Sequence, residues 1–386
     1  MKKKRILIVS WTFFPAWSYW GIARVMFELA REYVKDWHHV DCISTDVFDN
    51  NSRNPKTEDN IDWMNIYYFK NVSHVLANKW KFPIPIWLRK WLKENIRNYD
   101  IVHIADFRNL MNYFTYKECI KNDIPYIVSS FGSIAYNFDF KMIIKKLFDF
   151  FWARKMMKQA KFVTSENENE AKCQNELWVP KEKIRIIPLM LDYEKFVNLS
   201  EPWEVRKKLN IDKDAKVLLF VWRIHRYKMP YMALDCFYDY QKKIPNSHFI
   251  IIWRDDGFED NLKKYAKKLW IADKVSFQWA IYYPETIKYY IDADVYFMAP
   301  NHWEWTPTAS LECLACWTPV VWTKQSLIPF IENYDAWYIV NFDKEELVNA
   351  LLKVKEKNSQ DCINMIKDHF DVRVIKNDFL STYFDK

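Results

Sequence analysis

The chain has 386 residues, 50% of them hydrophobic and 28% charged, with a formal net charge of +7. That balance excludes a disordered or fibrous chain and predicts two domains at roughly 150 residues each. No run of about 18 apolar residues occurs, so no membrane-spanning helix is expected. The mild basicity suits phosphate-bearing ligands or an anionic membrane surface and is too dispersed to argue for nucleic acid.

The start, Met1 to Arg5 followed by Ile6-Leu7-Ile8-Val9-Ser10, reads as a buried first strand rather than a signal peptide, because Pro15 and Arg24 follow soon after. Strands are then predicted at 39–45, 65–69, 101–104, 126–129, 162–165 and 184–188, with helical stretches at 22–36 and 167–177. Residues 189–203 read as an irregular linker. A second alternation follows, with strands at 216–221, 248–252, 274–278, 295–299, 319–321 and 337–340. Its helices are 230–243, 262–269, 284–291, 309–316, 344–356 and 372–383. Alternating short apolar runs and amphipathic helices specify an α/β fold with parallel sheets. Ligand is expected at carboxyl ends of strands, in a cleft between the two halves.

Seven cysteines, scattered at 42, 119, 173, 236, 313, 316 and 362, suit a reducing, cytoplasmic setting. Cys313 and Cys316 form a C-x-x-C inside a helix and read as core residues. Glycine and tryptophan usage is anomalous: 3 Gly and 20 Trp, where average usage gives roughly 27 Gly. Trp37, Trp178, Trp270 and Trp317 each stand just past a predicted helix, the slot where a left-handed backbone favours glycine. Trp222 and Trp253 follow strands, and Trp337 is expected in a turn. The composition suggests that one codon, written here as Trp, is read as Gly by the source organism. Trp91, inside a helix, reads as an ordinary tryptophan.

The residues that carry chemistry cluster in the second half. Glu304 is predicted in a loop after strand 295–299, and Glu312 eight positions on, inside the next helix. Carboxylates suit the paired hydroxyls of a sugar and a ribose. The backbone amides of Thr308, Ala309 and Ser310 open that helix and can meet phosphate oxygens. Alone, the two acids would read as a cap and a solvated helix residue. Arg223 and Lys228 leave the end of strand 216–221, and two cations there can neutralise a departing diphosphate. Alone, they would read as an exposed basic loop.

With those residues in hand, the chain resembles glycosyltransferase family 4, whose fold is GT-B, two Rossmann-like domains facing a cleft. The resemblance covers nearly the whole length. It rests on Pro15, Gly21-Ile22-Ala23-Arg24-Val25, Glu28-Leu29-Ala30, Arg223 with Lys228, Glu304 with Glu312, and Thr318-Pro319-Val320-Val321. It implies an acceptor-side domain at 1–188, a linker at 189–203, a nucleotide-sugar-binding domain at 204–365, and a terminal helix within 366–386 packing back on the first domain. It implies a UDP- or GDP-sugar donor and a glycan or lipid-linked acceptor. It further implies retention of configuration and no metal or other cofactor. Arg223 and Lys228 would hold the diphosphate, Glu304 the donor sugar and Glu312 the ribose. The loop Trp20-Gly21 would approach donor phosphate or acceptor. The family carries glycine at positions matching Trp20, Trp37, Trp222, Trp305 and Trp317.

Departures leave alternatives. Phe131 stands where the family has a histidine before Gly132. His103, at a strand end, reads equally as a ligand-binding residue and as a structural hydrogen-bonder; Asp106 is a weaker candidate. Residues 141–161 and 87–97 interleave bases with apolar residues, and each reads either as a helix lying on anionic lipid, giving a peripheral place on the inner membrane face, or as an ordinary helix whose apolar stripe is core. The alternative to a glycosyltransferase is a catalytically silent GT-B protein that binds sugar nucleotide or membrane as a scaffold. A nucleotide-sugar epimerase of the same fold finds no support in the Arg223/Lys228 spacing.

Overall fold

The computed structural model describes residues 3–16, 20–49, 51–134, 141–177, 179–197, 199, 202–221, 228–253, 259–279, 281–301, 306–325, 328–354 and 359–384. The chain divides into two compact units, Met1–Met190 with Val372–Lys386, and Leu191–Asp371.

The first unit is built on eight strands: β1 (Arg5–Val9), β2 (His39–Thr45), β3 (Glu58–Ile61), β4 (Met64–Phe69), β5 (Ile101–Ala105), β6 (Tyr126–Ser129), β7 (Phe162–Ser165) and β8 (Ile184–Ile186). Their order across the sheet is β3-β4-β2-β1-β5-β6-β7-β8. All pairs are parallel except β3 with β4. Ile6, Leu7, Ile8 and Val9 are all fully buried, which is why this strand reads as a continuous apolar run: helices cover both faces of a parallel sheet. The terminal helix Val372–Phe384 belongs to this unit and packs on the helix Trp20–Lys35, where Tyr33 donates its hydroxyl to that of Tyr383 at 2.9 Å.

The second unit carries β9 (Lys216–Val221), β10 (Ser247–Trp253), β11 (Val275–Trp279), β12 (Val295–Met298), β13 (Val320–Thr323) and β14 (Trp337–Val340). Their order is β11-β10-β9-β12-β13-β14 and every pair is parallel. Both sheets therefore run outward from their first strand to one side and then cross to the other. That is the doubly wound arrangement of a dinucleotide-type fold, and it leaves a crevice at the carboxyl ends where the order reverses.

Several expectations need correcting. Strand β3 and the helices Leu110–Lys121 and Ser359–His369 were not expected. The stretch 141–161 is not one helix: Lys141–Phe148 and Arg154–Gln159 flank a π-helical segment, Asp149–Ala153. The wider turns carry the buried Asp149 to Arg108, whose Nε and Nη2 donate to its two oxygens at 2.9 and 2.8 Å. Trp337 opens β14 and is buried, not in a turn. Cys313 and Cys316, by contrast, are buried in the core as expected, and burial pushes both thiols well up from their ordinary range.

Candidate functional site

In the second unit the crossover falls between β9 and β12. These strands are neighbours, with Leu218 opposite Val295 and Leu219 opposite Tyr296, and the Tyr296 hydroxyl donates to the Val221 carbonyl at 3.1 Å. The chain leaving β9 runs into Arg223 and Lys228; the chain leaving β12 runs into Glu304 and the helix Thr308–Ala315. Segments separated by eighty residues thus depart from adjacent strands on the same edge. Arg223 and Glu304 themselves, with Trp222 and Trp305, lie outside the described residues.

Lys228 is buried, 9% exposed, just before Met229, whose φ of 50° precedes the helix Pro230–Lys243. It is not the exposed loop base of the bland reading. Glu312 is also buried, in a helix whose residues from Ala309 to Ala315 are all buried, and its Oε2 accepts from the Tyr290 hydroxyl at 2.8 Å. Tyr290 comes from the helix Glu285–Asp292; nothing in its local sequence marked it. Burial first, and then the Glu312 charge, push the Tyr290 hydroxyl well above its ordinary value, so it stays a donor and fixes the carboxylate.

Pro307 caps the helix Thr308–Ala315 without a side-chain hydrogen bond, and no acid stands in its first turn. A helix N-terminus of that kind favours anions. One expectation changes. The Ser310 amide and hydroxyl both donate to the Pro307 carbonyl, at 3.1 and 2.5 Å. The amides suited to a phosphate are therefore those of Thr308 and Ala309, which open the helix.

In the first unit the crossover falls between β1 and β5. Gly21 lies in the first turn of the helix that follows β1, not in a loop, and the space where a Cβ would stand is open. Trp20 is the first residue of that helix. Asp106 follows β5 with φ 68° and accepts from the Phe107 amide at 2.5 Å and the Ser133 hydroxyl at 2.9 Å.

His103 is a correction. It sits inside β5, fully buried, with Nδ1 2.6 Å from the Tyr383 hydroxyl and Nε2 2.7 Å from the Ser129 hydroxyl. Burial pushes its pKa down to about 3. Both nitrogens are engaged within the fold, which favours the structural reading of this residue over the ligand-binding one.

A second buried group had no signal in the sequence. Glu170 accepts from the Ser130 hydroxyl at 2.6 Å, the Gly132 amide at 2.8 Å and the Glu166 amide at 2.7 Å. Arg108 donates to the carbonyls of Ser133 and Ile134. Together they pin the segment 130–134, in which Phe131 and Gly132 adopt φ of 44° and 72°.

The two basic amphipathic stretches separate. In the helix Leu88–Asn95, Leu88 and Leu92 are buried, as is Ile96 after it, so that stripe is core. Along 141–159 the reverse holds: Ile143, Ile144, Leu147, Phe150 and Phe151 are 48–63% exposed. Among the described residues no helix is long and apolar enough to cross a membrane. Nor does any group of three or more His, Cys, Asp or Glu residues there come together to hold a metal ion.

Two family models match the chain: Glycosyltransferase Family 4 over residues 20–195 and Glycosyl transferases group 1 over 201–369. An Escherichia coli UDP-Gal:alpha-D-GlcNAc-diphosphoundecaprenol alpha-1,3-galactosyltransferase is 24% identical over 260 residues, 64% of this chain and 66% of that one. The alpha-monoglucosyldiacylglycerol synthase of Streptococcus pneumoniae is 32% identical over 141 residues, 36% of this chain and 32% of that one. The match thus spans slightly under two thirds of the first relative and about a third of the second. Among solved structures, Anabaena Alr3699/HepE in complex with UDP and glucose aligns with a TM-score of 0.72 at 13% identity, covering 98% of this chain and 99% of that one. A glycosyltransferase from Rickettsia africae aligns at 0.75 and 16% identity, covering 99% and 98%. With both of its units matched by models of one family, and with the fold of that family's doubly wound pair, the chain belongs to the group 1, family 4 glycosyltransferases of GT-B fold.

Proposed function

We propose that the protein transfers a sugar from a UDP-sugar to a lipid-linked acceptor, with the donor held at the β9/β12 crossover. The observation that carries this is the adjacency of those two strands, which sends the basic segment and the acidic segment out from one edge of one sheet. In this reading Arg223 and Lys228 bind the diphosphate and offset the charge that grows on it as the sugar leaves. The amides of Thr308 and Ala309 share that load. Glu312, oriented by Tyr290, takes the ribose hydroxyls, and Glu304 takes the sugar.

UDP is favoured over GDP because a structural neighbour that aligns along nearly the whole chain is seen in complex with UDP and glucose. Two relatives are named for lipid-linked compounds, alpha-D-GlcNAc-diphosphoundecaprenol and alpha-monoglucosyldiacylglycerol, which favours a lipid-linked acceptor here. The exposed apolar stripe of 141–159 supports the same reading. Its members stand at spacings of one, four, seven and eight residues, one face of a helix. Lys146, Lys155 and Lys158 are exposed around it, and the acid on it, Asp149, is buried against Arg108. Such a face fits the anionic surface of a membrane, giving the protein a peripheral place at its cytoplasmic side. Transfer with retention of configuration and without a metal is part of the proposal.

The test is transfer from a panel of UDP- and GDP-sugars by the purified chain, with Lys228→Ala and Glu304→Ala beside it. Turnover of a UDP-sugar that survives EDTA and is lost in both variants supports the reading. Equal turnover in both variants, or turnover of GDP-sugars alone, contradicts it.

A further inference from the structure

Six tryptophans occupy backbone conformations that suit glycine. Trp37, Trp63, Trp87, Trp203, Trp270 and Trp317 have φ between 59° and 87°, a left-handed region that penalises any Cβ. All six side chains are 45–91% exposed, so burial compensates them only in part.

Each stands where a specific local motif calls for glycine. After the helix Trp20–Lys35, the Trp37 amide bonds the Val34 carbonyl and the His38 amide bonds that of Tyr33. That pair of bonds defines a Schellman cap with Trp37 at its left-handed position. The same pair recurs at Trp270, with Lys267 and Ala266, and at Trp317, with Leu314 and Cys313. Two further caps of this type hold Asp123 and Asn210 instead, residues that tolerate the conformation. Between β3 and β4, Ile61 pairs with Met64, leaving a two-residue turn in which Asp62 and Trp63 both have positive φ. Such a turn is typically Asp-Gly or Asn-Gly. Trp87 and Trp203 precede helices with left-handed backbones and no side-chain cap.

We propose that residues 37, 63, 87, 203, 270 and 317 are glycine in the protein made by its source organism, one codon having been written as tryptophan in this sequence. The anomaly of 3 Gly against 20 Trp narrows with it, since six such positions move the count toward ordinary usage. Trp91 is a true tryptophan on the same reasoning: it lies within a helix and its ring sits 5.2 Å from that of Tyr67 and 5.9 Å from that of Phe69. Where Trp20 shares that codon, the helix after β1 opens on Gly-Gly, a backbone that a phosphate can approach closely.

Peptide mapping by mass spectrometry of protein purified from the source organism, read beside the gene, decides the matter independently of any activity. The expected result is glycine at the six positions, encoded by UGA, and tryptophan at 91, encoded by UGG. Tryptophan in the six native peptides, or one codon shared with Trp91, would overturn the proposal. A second measurement compares melting temperatures of two recombinant chains, as written and with the six glycines. The glycine chain should melt higher, while Trp91→Gly should lower the melting temperature; a glycine chain that melts no higher would also overturn it.

Discussion

His103 joins three strands and two helices by one line of hydrogen bonds. Tyr33 donates to Tyr383, whose hydroxyl meets His103 Nδ1; Nε2 meets Ser129, and Ser129 meets Thr164 at 2.6 Å. Every donor in that line can point the same way when the neutral ring carries its proton on Nε2. Because the folded pKa lies near 3 and the ordinary value is 6.5, the unfolded chain takes up a proton first as pH falls. Stability is therefore unaffected above about pH 6.5 and declines between there and about pH 3, by about 1.4 kcal/mol per pH unit for this group. Urea unfolding at pH 7, 6 and 5 should show that slope, and His103→Gln should flatten it. The same substitution should leave donor turnover within a few-fold, whereas a catalytic histidine would lose it by orders of magnitude. A strand-end histidine in a sequence has two readings; what separates them is a tyrosine 280 positions away, which no local pattern reveals. At Trp270, the most exposed of the left-handed tryptophans, replacement by glycine should stabilise the chain as written by about 1 kcal/mol, measured by the same unfolding curves.

Among the elements, the segments 87–97 and 141–161 look alike as text, and the structure buries the apolar stripe of one while exposing that of the other. Periodicity reports that a stripe exists; it does not report what covers it. The hairpin of β3 and β4 was missed for a different reason. Glu58-Asp59-Asn60-Ile61 has no strand-like alternation, and the Asp-Gly signature that would have announced the turn is written Asp-Trp. The helix 309–316, by contrast, was legible to within one residue because an apolar run sits between Pro307 and the strand at 320. The exposed face of 141–159 yields its own expectation. The protein should cosediment with vesicles containing anionic phospholipid, more weakly at high salt, and much less with zwitterionic ones. Phe150→Asp with Phe151→Asp should abolish that binding and leave turnover of the soluble donor intact. Equal binding by the variant would remove the membrane from the account.

For the molecule as a whole, both doubly wound sheets were legible because buried parallel strands must be apolar throughout and crossover helices must be amphipathic. What the text could not supply was which strands lie side by side. The order β9-β12 is what makes the basic segment that follows residue 221 and the acidic one that follows residue 298 start from adjacent strands. The central claim is that these segments form a single donor site, and nucleotide affinity measured by calorimetry tests it most directly. UDP should bind at least tenfold more weakly to Lys228→Ala and to Glu312→Ala, a loss of about 1.4 kcal/mol or more each, while Glu304→Ala, which would touch only the sugar, should bind UDP normally yet transfer nothing. Unchanged UDP affinity in both Lys228→Ala and Glu312→Ala would contradict the account.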